Sequence, residues 1–228
     1  MPVPRPLPAA ALVPWQTPQG AYGSQRLYRV SYSGPEGEGS FRVTLRLVSP
    51  SRYQLQAVDP LGRSLWSLDV LHDAGLWLNH RGHSYCRFEG RFDLTGVPLG
   101  PFPLLSLPSL LLGRVPAEPA AGSAPPPAKE RQFDFVDGAN RRWYGTLDED
   151  GRVLSWTAAE GDTPKVWWMR RDDWAILSDR ERGVQVRWRE MVREDLDLEP
   201  PRLEPPADYR EIPCGEQEVP DSAPDDAD

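Results

Sequence analysis

Tyr28-Arg-Val-Ser-Tyr32, the turn Gly34-Pro-Glu-Gly-Glu-Gly39, and Phe41-Arg-Val-Thr-Leu-Arg-Leu47 together decide the fold class. In both runs apolar and polar residues alternate strictly. An extended chain therefore carries its apolar side chains on one face and its arginines on the other. Two such runs across a Gly/Pro turn predict an antiparallel hairpin. The pattern continues outward on both sides. Tyr53, Leu55 and Ala57 form the next run, which the turn Asp59-Pro-Leu-Gly62 ends. Further strands are predicted at 64–71, 75–80 and 83–88, and then at 131–136, 141–147, 152–158, 164–170, 174–178 and 184–192. The count is eleven or twelve short antiparallel strands, an all-β domain with one short α insertion.

The insertion is the stretch 94–116, dense in Leu and Pro, where Pro cannot serve a central ladder. Ser106 fits an N-cap, Pro108 the first turn and Gly113 the C-cap of a helix over 107–112. A helix this short and apolar all round must be buried, and it has to lie across a sheet. Two readings follow. The helix is a removable lid over a container for an apolar ligand, with Leu99, Leu104, Leu107, Leu110 and Leu111 as lid contacts, or it plugs a barrel end permanently. Phe41, Val43, Trp66, Leu68 and Trp168 are candidate linings of the container. Trp167 and Trp168 are adjacent, so they must face opposite sides of their strand.

Charge excludes more than it selects. With 26 basic and 34 acidic residues the net charge is -8, and residues 201–228 hold nine acids against Arg202 and Arg210. The body is nearly neutral and its arginines alternate along strands, so no basic run marks a nucleic-acid site. No stretch approaches ~20 apolar residues, the length a spanning helix needs. His72, His80 and His83 lack the companions of a metal set. No nucleophile elbow or phosphate loop is present, and no catalytic residue is assigned. Cys86 and Cys214 either pair in an oxidising compartment or remain separate thiols. Three regions are expected: a Pro-rich tether over 1–24, a barrel over 25–195 with a flexible loop at 117–128, and an acidic Pro-rich tail over 196–228 that is extended or disordered. The opening reads as a tether left when an export signal has been cut away.

The stretch Asp59-Pro60-Leu61-Gly62 followed by Ser64-Leu-Trp-Ser-Leu-Asp69 resembles a loop and strand of the LolB family of outer-membrane lipoprotein receptors. The order Val97-Pro98-Leu99, Leu107-Pro-Ser-Leu-Leu-Leu-Gly-Arg-Val-Pro116, Asn140-Arg-Arg-Trp143 and Gly183-Val-Gln-Val-Arg-Trp188 is similar too. The resemblance covers roughly residues 26–192. It implies an unclosed antiparallel β-barrel around an apolar cavity with a helical lid. It further implies non-covalent binding of lipoprotein acyl chains, without cofactor or chemistry. Pro60, Leu61 and Gly62 would form the membrane-insertion loop. The partners implied are acylated lipoproteins, a LolA-like periplasmic carrier and the inner leaflet of the outer membrane. The chain would act as a monomer at the periplasmic face, lipid-anchored if the gene encodes a lipobox. The alternatives are a LolA-like soluble carrier or a lipid sensor on the same scaffold and, more remotely, an enzyme acting on lipid or glycan. No lipobox Cys is present, a helix is barely suggested between Pro14 and Gly23, and the acidic tail has no counterpart in the family.

Overall fold

A computed structural model describes residues 14–15, 19–35, 37–49, 51–72, 74–89, 107–121, 131–196 and 200–214. Each predicted run becomes a strand. These are β1 (Ser24–Gly34), β2 (Gly37–Ser49), β3 (Arg52–Val58), β4 (Ser64–Leu71), β5 (Ala74–Asn79) and β6 (Ser84–Glu89), then β7 (Gln132–Val136), β8 (Arg142–Leu147), β9 (Val153–Glu160), β10 (Thr163–Arg171), β11 (Trp174–Asp179) and β12 (Val184–Asp195). A thirteenth, β13 (Arg210–Glu211), was not expected, so the predicted count falls short.

All thirteen strands form one sheet, ordered β13-β6-β5-β4-β3-β2-β1-β12-β11-β10-β9-β8-β7. It consists of two six-stranded meanders joined where β1 pairs antiparallel with β12. The strands β6 and β7 follow one another in sequence yet occupy opposite ends of the meanders. In sequence between them lies the helix α1 (Leu107–Leu111), the one α-helix among the described residues, whose Leu107, Pro108, Leu110 and Leu111 are buried. The predicted helix extended to Leu112; in the structure Gly113, at φ 72°, turns the chain out one residue sooner. Its N–H bonds the carbonyl of Leu110, and Arg114 N–H that of Ser109. Between Pro14 and Gly23, where a helix is barely suggested by the sequence, the described residues hold a 3-10 turn at Gln19–Ala21.

Alternation puts one face of every strand inward. Tyr28, Val30, Phe41, Val43, Leu45, Tyr53, Leu55, Trp66, Leu68, Trp143, Trp156, Trp168 and Trp188 join α1 in one buried apolar cluster. Three aromatic rings lie over glycines of the neighbouring strand, Tyr32 on Gly39, Phe88 on Gly75 and Phe133 on Gly145. A Cβ on Gly145 would collide with the Ser155 carbonyl oxygen and the Phe133 ring, so the site accepts no side chain.

Residues 200–214 are extended, but they lie as a strap against the outer face and edge of the first meander. Arg52 Nη2 and Gln54 Nε2 donate to the carbonyls of Pro200 and Pro201, each at 2.6 Å. Leu203 N–H and Arg202 Nε donate to Asp69 Oδ2 at 2.9 and 2.8 Å. Asp69 is thereby fully buried on the outward side of β4. The strap then pairs parallel with β6 through β13, and Cys214 is disulfide-bonded to Cys86 with their Cα atoms 5.3 Å apart. At the other end of the sheet, Pro119 bridges Asp137 and Ala120 N–H bonds the Val136 carbonyl, so this chain covers the edge of β7. Within the predicted loop 117–128, residues 117–121 are thus placed, and 122–128 lie outside the described residues.

Candidate functional site

Phe41, Val43, Trp66, Leu68 and Trp168 all fall on the inner wall and are buried. Leu107, Leu110 and Leu111 of α1 pack against the same cluster, whereas Leu99 and Leu104 lie outside the described residues. The Trp188 indole N–H donates to the Leu111 carbonyl at 3.4 Å, and a Cβ on Gly113 would sit 3.4 Å from the Trp168 ring. Trp156 stacks on Trp168 at 6.3 Å and contacts Trp143 at 5.3 Å. A tryptophan wall therefore faces the helix. Trp167 points outward, as its adjacency to Trp168 requires.

A polar cluster at the N-terminal end of β1 was missed. Arg26 Nη1 donates to Glu190 Oε2 at 2.7 Å, and the Tyr28 hydroxyl donates to the same oxygen at 3.4 Å. Burial, and after it Glu190, pushes the Tyr28 phenol above its ordinary value. The sequence signal was present, because Arg26 shares the inward parity of Tyr28 and Val30 and is a charged residue in an apolar position.

The Leu61 turn lies beyond the C-terminal end of β3. Asp59 organises it. Its Oδ1 accepts from Leu61 N–H and Arg63 N–H, both at 2.9 Å, and its Oδ2 accepts from Arg63 Nε at 2.6 Å. The Arg63 backbone N–H and guanidinium, with the Leu61 N–H, hold this carboxyl below the usual carboxylate range. Gly62 at φ 86° closes the turn.

Two other hairpins are built the same way. In Asp137–Arg141 and Asp148–Arg152 the leading Asp Oδ1 accepts backbone N–H groups two and four residues on. The fourth residue of each is again in the left-handed region, Asn140 at 61° and Gly151 at 74°. The residue at the tip is Ala139 in one and Asp150 in the other. The turn itself does not require a leucine. Leu61 stands 79% exposed, the most exposed of the large apolar side chains described.

His80, just after β5, holds the strap, with Ser67 Oγ 2.8 Å from its Nε2 and the Tyr209 hydroxyl 2.8 Å from its Nδ1. The His83 ring stacks on Tyr209 at 5.2 Å. Burial, followed by the nearby His83, lowers the His80 pKa from its ordinary value. The hydroxyl–imidazole pair is a fastening, since Ser67 is buried on the outward face beneath the strap.

Fold and site together define an open antiparallel β-barrel with an apolar, tryptophan-rich interior against which α1 packs. Solved structures of this fold include a LolA superfamily protein from Nitrosomonas europaea, at TM-score 0.56 and 8% identity over 83% of this chain and 92% of that one. A putative outer membrane lipoprotein-sorting protein domain from Vibrio parahaemolyticus superposes at 0.51 and 10% identity, covering 79% and 88%. A DUF1329 family protein from Desulfovibrio piger does so at 0.52 and 10%, covering 77% and 87%. The fold is therefore the LolA-like open barrel. No protein-family model and no curated protein matches the sequence.

Proposed function

We propose that the chain binds the acyl chains of lipoproteins inside the barrel, without catalysing a reaction, and delivers them to the inner leaflet of the outer membrane. In this reading it works in the periplasm and receives its cargo from a LolA-like carrier. Burial of an acyl chain contributes ~0.8 kcal/mol per methylene, so partial enclosure of two or three chains gives tight binding, and release needs a better apolar sink. A bilayer supplies that sink. The observation that carries the reading is Leu61, a fully presented leucine on a turn whose two structural equivalents carry Ala139 and Asp150. A soluble carrier on the same scaffold is the second reading, favoured by the likeness to the LolA superfamily protein.

Leu61→Glu separates the two. On an exposed turn it should change stability by no more than about 0.5 kcal/mol. A carboxylate resists entry into the acyl boundary, whereas leucine enters it favourably. Cargo transfer to liposomes should therefore collapse in Leu61→Glu while binding of an environment-sensitive acyl probe is retained. Equal transfer by variant and wild type would remove Leu61 from the mechanism and leave the carrier reading.

A further inference from the structure

The strand register assembles a cationic surface that no single strand displays. On the outer face Val58 pairs with Arg42, Arg42 with Arg29, and Arg29 with Arg189. The Arg189 guanidinium lies 5.1 Å from the Trp174 ring centroid and that of Arg187 lies 5.4 Å from it. Trp174 in turn pairs with Arg171. Five arginines and a tryptophan thus run as a band across β2, β1, β12, β11 and β10. Among the described residues one carboxylate is paired with the band, Asp173, 3.1 Å from Arg189. Like charges directly opposite one another weaken a sheet. Arg29 and Arg42 are exposed, so burial offers no compensation. The band sits on a chain whose net charge is -8. It begins at Val58, the last residue of β3 before the Leu61 turn.

We propose that this band docks the protein on a bilayer surface through anionic phospholipid headgroups, orienting Leu61 toward the membrane. The proposal rests on the membrane-delivery reading above. Guanidinium groups bind phosphate oxygens in a bidentate manner, and an indole between them suits the headgroup level. Each arginine near a negative surface contributes roughly a fivefold gain in partition, which salt screens.

The test is sedimentation of the full chain with vesicles of phosphatidylcholine alone and of phosphatidylcholine with phosphatidylglycerol, at low and high NaCl. Wild type should bind the anionic vesicles, lose them in salt and largely ignore the neutral ones. The double variant Arg29→Gln/Arg42→Gln should lose roughly 25-fold in partition, fivefold for each arginine. It should melt no lower than wild type, because cross-strand repulsion is removed, and should keep its acyl-probe affinity. Unchanged partition in the double variant, or equal wild-type binding to both vesicle types, would overturn the proposal. Displacement by inorganic phosphate at low millimolar concentration would overturn it too, in favour of a discrete phosphate site. Loss of acyl-probe binding by wild type would instead sink the container reading while leaving the vesicle result to stand.

Discussion

Removing the disulfide with Cys214→Ser should cost far more than the local contacts at Cys214. The bond joins residues 128 positions apart. The loop it closes runs from β6 through α1 and all of β7 to β12 to the strap. In the chain-entropy treatment a loop of that length stabilises the folded state by about 5 kcal/mol, through restriction of the unfolded chain. For a domain of this size that corresponds to a fall of about 10–20 °C in Tm. Cys214 is the position to change, since Cys86 is buried and its sulfur fills part of the core. The assay is urea unfolding of unreduced wild type and variant, with thiol titration of the unfolded, unreduced wild type. A stability difference below about 1 kcal/mol would mean that the bond pins only the last residues of the strap. Two titratable thiols in the unreduced wild type would remove the cross-link itself.

Gly145→Ala should destabilise strongly, by about 3 kcal/mol or more in urea, because a rigid carbonyl and an aromatic ring occupy the space of the new methyl group; a change below 1 kcal/mol would show that β8 and β9 part easily. The strap should loosen on acidification. The folded pKa of His80 lies below its ordinary 6.5, so its contribution is complete above that pH and is lost as pH falls toward the folded value. Amide protection at 203–212, referred to the intrinsic exchange rate at each pH, should therefore fall below pH 6.5 in wild type and much less in His80→Gln, and identical protection profiles would free His80 from the fastening.

The strands were legible because the barrel has one dry face, and period-two alternation records that face directly in β1, β2 and β12. The helix was legible from Pro108 and Gly113. The strap was not. Ser67 and Asp69 occupy outward positions of β4 and read locally as solvated residues; the distant Arg202 and Leu203 bond the Asp69 carboxylate, and His80 links Ser67 to Tyr209. A Pro-rich acidic stretch has the composition of a free tail, and the residues that receive it lie more than a hundred positions upstream. The arginine band failed for a related reason. Each arginine has ordinary solvent-face parity within its own strand, and the pairing register alone brings Arg42, Arg29 and Arg189 side by side. Leu61 was singled out by resemblance. Its distinction from Ala139 and Asp150 needed the three turns to be placed beside one another.

The two covered edges bear on how copies of this chain can meet. An open sheet has a row of unsatisfied amide and carbonyl groups at each border, and such rows invite strand-by-strand polymerisation. Here β13 occupies the border at Ser84 and Tyr85, and the 119–120 segment occupies the border at Val136 and Asp137. The barrel can stay open without presenting a template to its neighbours. The cover at β6 is held by the cross-link, so reducing conditions would turn a discrete particle into one with an adhesive margin.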